Sequence, residues 1–186
     1  MTSGVVETRA SALADLAEAD RDLAQTAQAA ARNAYAPYSG FAVGAAVRTR
    51  SGKLYTGANQ ENASYGVTMC AEVSALTAAS SAGDFDVEAI AVVGHKFIEP
   101  LGDDLVVTPC GRCRQLICEA AQISQIDVRV ISCSGDLSRV LDAPISELLP
   151  HAFGPENLGL DKKWPLMRTK LHGVMDGLIR GRAKAR

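Results

Sequence analysis

Apolar positions along the chain follow two periods, one of about 3.6 residues and one of 2, and the switches between them predict the elements. Residues 11 to 34 are alanine-rich, with Leu13, Leu16 and Leu23 along one face, and predict an N-terminal helix that ends ahead of Pro37. The stretch "YAPYSGF" (35 to 41) has the residues of a loop. After it, "AVGAAVRTR" and "KLYTGAN" read as two strands joined by a tight turn at Ser51 and Gly52. Helical spacing returns from Cys70 to Ala82, with Gly83 as its stop. "VEAIAVVG" (87 to 94) is short, apolar and branched, as a buried strand is, and "DLVVT" (104 to 108) has the same character. A helix over Cys110 to Ala121, a strand at "DVRVIS" (127 to 132) and a turn at "SGD" (134 to 136) follow. Helix, hairpin, helix, strand, helix, strand is the order of an α/β layered domain in which helices cover a mixed sheet.

One stretch breaks the pattern. In "VTMCAEVSAL" (67 to 76) an acid, Glu72, stands in a run that is otherwise nearly all apolar. A packed helix face favours Leu or Ala there, because an unpaired buried carboxylate is costly. Either Glu72 lies on the surface or it takes part in chemistry.

Composition narrows the chemistry. With 186 residues, the chain is long enough for one well-buried core and short for two. Apolar residues make up 47%, charged residues 22%, and the net charge is -2, so nothing in the balance points to nucleic acid or membrane. No apolar run approaches the roughly 20 residues of a bilayer span. The first residues mix acids among alanines without the basic start and apolar block of a secretory signal, so a cytoplasmic location is expected. In that setting five cysteines are metal ligands, catalytic groups or buried thiols rather than a disulfide framework.

Three of them have a telling arrangement. Cys110 and Cys113 of "TPCGRCRQ" (108 to 115) stand at the start of a predicted helix, whose free N–H groups and dipole favour thiolates. On its own the pair fits half of a structural zinc site, a redox dithiol or part of a catalytic site. Cys70, at the start of another predicted helix, adds a third thiolate, and three protein ligands leave a fourth tetrahedral position open, as in catalytic zinc. Glu72, two residues beyond, then has reach to a water in that position, from which it takes a proton for delivery to a leaving group. The alternative is a closed four-cysteine site that recruits Cys118 or Cys133, in a zinc-binding module without enzymatic activity.

The spacing C-x-E followed by P-C-x-x-C resembles that of the zinc deaminases of nucleosides and nucleobases. "AYAPYSGFAVGAAV" (34 to 47), "GANQENASYG" (57 to 66), "CAE" (70 to 72), "PCGRCRQ" (109 to 115) and "ELLPHAFGPENL" (147 to 158) narrow the resemblance to the small, homotetrameric cytidine deaminases. It covers residues 20 to 160. It implies a three-layer α/β/α sandwich on a central mixed five-stranded sheet, in a catalytic domain spanning residues 1–160. It also implies one Zn²⁺ per subunit on Cys70, Cys110 and Cys113, with Glu72 as the proton shuttle, in the hydrolysis of cytidine and deoxycytidine to uridine and deoxyuridine. Asn59 and Glu61 match the pair that hydrogen-bonds a sugar hydroxyl, and Phe41 matches the aromatic that packs on the base. The backbone of Ala71 and Thr108 is expected to read the polar edge of the base. Ala63, Tyr65 and Phe153 match positions that reach into a neighbouring subunit's site. The partners implied are thus a free nucleoside and three further copies of the chain, with neither membrane nor nucleic acid.

Two stretches depart from that pattern. Many relatives carry Arg directly after the glutamate, where it bonds to ligand sulfurs, and this chain has Val73. Three thiolates on Zn²⁺ leave a net charge of -1, which calls for another donor. Arg112 is the expected replacement and Arg114 the second choice. An apolar residue after "CAE" together with "PCGRCRQ" also resembles blasticidin S deaminases, although "NQENASYG" favours plain nucleosides. Beyond residue 160 lies a basic extension, 161–186, with eight Lys or Arg against two Asp and with Met167, Leu171, Val174, Met175 and Leu178 at helical spacing. Trp164 and Pro165 stand where such a helix would start, and His172 is expected on its surface. It reads as a helix docked on this or a neighbouring subunit, against the alternative of a basic arm for nucleic acid or an anionic surface.

Overall fold

The structure, a computed structural model, describes residues 10–98 and 105–184. In chain order its elements are strand β1 (Ala10–Ser11), helix α1 (Glu18–Ala31), β2 (Phe41–Thr49), β3 (Leu54–Ala58), α2 (Ala71–Ser81), β4 (Val87–Lys96), α3 (Gly111–Ser124), β5 (Arg129–Cys133), β6 (Val140–Pro144), the short α4 (Ile145–Leu148) and α5 (Trp164–Lys184). The strands form one sheet in the order β1-β6-β5-β4-β2-β3. Only β4 and β5 pair in parallel among the described strands, so the sheet is mixed and the connection between these two is a crossover through α3.

Alternation along the central strands builds two cores. Ala45, Val47, Ile90, Val92 and Val130 face α2 and α3, where they meet Ala71, Ala75, Ala79 and Ile117. Ala46, Ala89, Ala91, Val93 and Ile131 face α1, where they meet Leu23, Ala24 and Ala27. Each fully buried Ile or Leu contributes about 1.5–3 kcal/mol. Small residues set the layer spacing: a Cβ on Gly44 would lie 2.0 Å from the Ala27 carbonyl oxygen, and one on Gly57 would lie 2.4 Å from that of Ala71. The sheet therefore touches α1 on one face and α2 on the other, backbone against backbone.

The expected α/β/α layers and mixed sheet are present, with three corrections to the strand and helix pattern. Residues 105–108 are not a strand; Val107 donates one backbone bond to Cys133, and the segment runs on as an extended lead into Cys110. The place of a strand is taken by β6, and the two residues of β1 add a sixth strand at the edge. The N-terminal helix begins at Glu18 rather than residue 11, because Leu13–Asp15 closes a separate 3-10 turn in which the Asp15 carboxylate accepts from the Ala12 N–H.

Opposite the α2 side, one polar group is buried by design of its neighbours. Asp20 of α1, its side chain 3% exposed, forms an ion pair with Arg48 of β2 at 2.8 Å and accepts from Arg129 of β5, which also holds Asp142 of β6.

Candidate active site

Cys70 and Cys110 occupy the N-cap positions of α2 and α3, in extended backbone and with no side-chain capping bond. Their sulfurs are therefore free while both helix dipoles favour a negative charge on them. Cys113, one turn into α3, is fully buried and faces the same point. The Cys70 and Cys110 sulfurs are 4.0 Å apart, those of Cys110 and Cys113 3.6 Å, and all three lie within 4.8 Å of one another. Ligands about 2.3 Å from a tetrahedral zinc are separated by about 3.8 Å, so the three sulfurs fit the ion without rearrangement. Among the described residues no fourth His, Cys, Asp or Glu joins the group. Cys118 is buried in the α3 core with Gln122 donating to its sulfur, and Cys133 belongs to the core on the α1 side. A closed four-cysteine site is thus excluded by geometry.

The electrostatics match an anionic sulfur cluster beside a protonatable acid. The hydrogen bond from Cys113 lowers the Cys70 thiol to about 6, with help from Cys110 and the positive charge of Arg112, against burial and Glu72. Cys113, as the donor, is shifted up. Glu72, 4% exposed, is raised by burial, which outweighs hydrogen bonds from its own amide and Cys113. Burial pushes Cys133 up to about 12, which marks it as an inert thiol.

A second set of residues is tied to the first through backbone. Gln60 and Met69 exchange hydrogen bonds at 2.8 and 2.9 Å, which fastens the loop after β3 to the residue before Cys70. Tyr35 donates to Asn59 and accepts from Glu61, and this holds the same loop against residues 35–41. Asn59 bridges β2, its Oδ1 accepting from Val43 and its Nδ2 donating to Phe41. Glu61 Oε2 accepts from the Tyr38 and Ser39 amides at 2.9 and 3.2 Å. Burial would raise its pKa, but hydrogen bonds from Ser39 and Tyr38 prevail and hold it below the usual carboxylate range. Phe41 lies over Gly94, whose added Cβ would meet the ring at 2.7 Å and Val107 at the same distance. Phe41, Asn59 and Glu61 are thereby gathered around one loop that leads into Cys70. Thr108 is exposed next to Cys110, and Ala71, first residue of α2, has an N–H without a helical acceptor.

The remaining expected residues divide. Ala63, Tyr65 and Phe153 are exposed, Tyr65 by 72% and Phe153 by 65%, with the Tyr65 ring edge-on to Tyr38. Arg112 does not bond a ligand sulfur: its guanidinium donates to the Thr68 carbonyl at 3.2 Å and to Met69 Sδ at 3.8 Å. Arg114 is committed to the carbonyls of Pro109 and Leu148. Val73 is buried and lines an apolar groove between α2 and α3. Gln115, which the motif reading left without a role, donates to the Phe153 carbonyl at 2.8 Å and so ties that stretch of backbone to α3. Its position inside "PCGRCRQ" was the only sign of it.

The family model for the cytidine and deoxycytidylate deaminase zinc-binding region matches residues 17–129, more than half of the chain. The chain belongs to the cytidine and deoxycytidylate deaminase family. It is 44% identical over 131 residues to a cytidine deaminase of Halalkalibacterium halodurans, an alignment covering 69% of this chain and 89% of that one. With a cytidine deaminase of Mycobacterium tuberculosis it shares 37% over 139 residues, 72% of this chain and 89% of the relative. The crystal structure of the cytidine deaminase of Burkholderia pseudomallei superposes with a TM-score of 0.61 at 40% identity, covering 71% of this chain and 97% of that structure. Membership of this zinc-binding family agrees with the three-sulfur cluster. No helix among the described residues is long and apolar enough to cross a membrane.

Proposed function

We propose that this chain hydrolyses cytidine and deoxycytidine to uridine and deoxyuridine, releasing ammonia. The observation that carries the reading is Glu72, a buried acid raised in pKa, held beside three convergent sulfurs that leave a fourth position open. Cys70, Cys110 and Cys113 would hold a Zn²⁺ ion, which would supply the Lewis acidity that makes water a nucleophile near neutral pH. Glu72 takes one proton from the attacking water and places it on ring N3. It then carries the second to the departing amine, so the two protons of water end on N3 and on ammonia as C4 exchanges its bond to nitrogen for one to oxygen. Its raised pKa suits a group that must both accept and return a proton.

Phe41 packs on the base, and the free Ala71 N–H and the Thr108 backbone read its polar edge. Asn59 keeps a second amide hydrogen and Glu61 its Oε1 for a sugar hydroxyl, and a site built on such a pair disfavours an analogue lacking that hydroxyl. Arg112 balances the sulfur charge from the rim, through the Cys70 end of the cluster, rather than by a direct bond. Ala63, Tyr65 and Phe153 complete a neighbour's site in a homotetramer of catalytic domains spanning residues 1–160, acting in the cytoplasm.

The test is the loss of ultraviolet absorbance when cytidine is added to the zinc-loaded protein. Glu72→Gln is expected to keep one zinc per chain and to lose about 10²–10⁴ of the turnover. A zinc-loaded wild type that deaminates no cytosine nucleoside rejects the proposal.

A further inference from the structure

Among the described residues, helix α5 is held to its own subunit through Trp164 and Arg168 near its start. Trp164 meets Phe85 edge-on at 5.8 Å, and Arg168 lies 4.7 Å above the same ring and donates to the Gly83 carbonyl. From Thr169 to Gly181 every residue is exposed. Met167, Leu171, Val174 and Leu178 recur at four, three and four residues, with Met175 beside them, and by helical spacing this stripe lies on the side of Trp164 and Arg168. It is 45–57% exposed. Gly173, Gly177 and Gly181, each with open space around it, cost the helix roughly 1 kcal/mol apiece relative to Ala. Propensity therefore does not sustain this helix, and its stability calls for an apolar face to pack on.

A receiving face exists on the body. The groove between α2 and α3, lined by Val73, Leu76, Leu116, Ala120 and Ile123 with Glu119 among them, encloses about 420 Å³. Trp164 lines this groove in its own subunit, and among the described residues no other residue of α5 does. Charge complements shape: residues 161–186 hold eight Lys or Arg against two Asp, whereas residues 1–160 hold eleven Lys or Arg against nineteen Asp or Glu. An acidic body attracts this arm and is repelled by anionic lipid or nucleic acid.

We propose that α5 is an exchange arm that docks on a second copy of this chain, its Met167–Leu178 stripe lying in that copy's α2/α3 groove. The two-fold arrangement returns the partner's arm to the first copy, so the contact is closed rather than propagating. The docked stretch from Met167 to Leu178 is about 18 Å long and 10 Å across, so two such arms bury on the order of 700 Å² in all and supplement the contact between catalytic domains rather than forming a full interface alone. Val73 belongs to this surface: the residue that departs from the family pattern beside the metal ligands keeps the groove apolar.

The experiment uses full-length zinc-loaded protein, isotopically light and heavy copies unfolded together and refolded, then coupled with a zero-length carbodiimide. Lys170 is expected to couple to Glu119 in peptide pairs of mixed isotope. Leu171→Asp with Leu178→Asp, and separately Leu116→Asp on the receiving face, are expected to reduce those pairs at least 10-fold while zinc content and helix signal persist. Pairs of a single isotope only, no pairs at all, or pelleting with phosphatidylserine vesicles that the double variant abolishes would each overturn the inference. Activity is a separate readout: an inactive protein with mixed pairs leaves the arm standing, and an active one without them removes the arm alone.

Discussion

Gly57→Ala joins packing to chemistry in one substitution. Gly57 of β3 faces α2, and an added Cβ would lie 2.4 Å from the Ala71 carbonyl oxygen, 2.4 Å from the Ala75 nitrogen and 2.7 Å from Ser74 Cβ. Two of the three are backbone atoms, so relief to ordinary contact requires α2 to move by about 1 Å, at a cost of about 1–3 kcal/mol. The first residues of α2 are the ones that matter for chemistry, since Cys70 caps it and Glu72 lies in its first turn. A displacement of about 1 Å at a reacting group costs on the order of 10² in rate. The variant is therefore expected to unfold at lower urea, to bind zinc more weakly and to deaminate cytidine about a hundredfold more slowly. Gly44→Ala supplies the control, because its Cβ would meet α1 at 2.0 Å from Ala27 and 2.5 Å from Ala31, on the face without ligands. It is expected to lose at least as much stability, yet to retain zinc affinity and turnover when assayed cold, where it remains folded. A Gly57→Ala protein that turns over within threefold of wild type would refute the reasoning, as would a folded Gly44→Ala protein with equal loss of zinc.

Cys113→Ala is expected to bring zinc, measured by elemental analysis, close to zero, whereas Cys133→Ala, on the other face of the sheet, keeps one ion per chain. Asp84 accepts from the hydroxyls of Ser51, Thr49 and Tyr55 at 2.7, 2.8 and 3.1 Å. Burial alone would raise its pKa, but these bonds prevail and lower it. Its contribution is thus present above the unfolded value of about 3.9 and fades as pH falls through the lower folded value. The unfolding midpoints of wild type and Asp84→Asn should accordingly keep a constant gap above about pH 5 and converge as pH falls below about 4; a gap that stays constant below about pH 4 contradicts this. Arg129→Met leaves buried Asp20 with one cation instead of two and is expected to cost on the order of 3 kcal/mol in urea unfolding, with zinc content unchanged.

How legible the fold was depended on whether local pattern and tertiary role agreed. The strand at 87–94 was plain because its apolar residues are also its buried ones, and the hairpin was plain from the turn residues Ser51 and Gly52 and the buried apolar run of β2. β6 was invisible since Asp142 and Pro144 interrupt "VLDAP", and Asp142 is satisfied only through Arg129, thirteen residues earlier on a neighbouring strand. "DLVVT" misled for the opposite reason: its branched residues are used to pack Val107 against Gly94 and Phe41 rather than to pair. The sulfur cluster was readable because the CxxC spacing and the two helix starts are local facts. Arg112 was not, since whether a long side chain bonds a sulfur or the Thr68 carbonyl depends on the loop before Cys70, which carries no periodicity. Gln115 was hidden likewise, its partner being a backbone carbonyl that no side-chain pattern reveals.

The two arginines around Asp20 also impose an order on assembly. Arg48 follows it closely in the chain, but Arg129 is 109 positions away. At a synthesis rate of ~5–20 residues per second, the roughly 80 residues between the two arginines take about 4–16 s to emerge. Through that interval a docked α1 would hold a carboxylate with half its final complement of cations. The first helix made is therefore among the last to be locked, when the crossover carrying Cys110 and Cys113 has already been laid down.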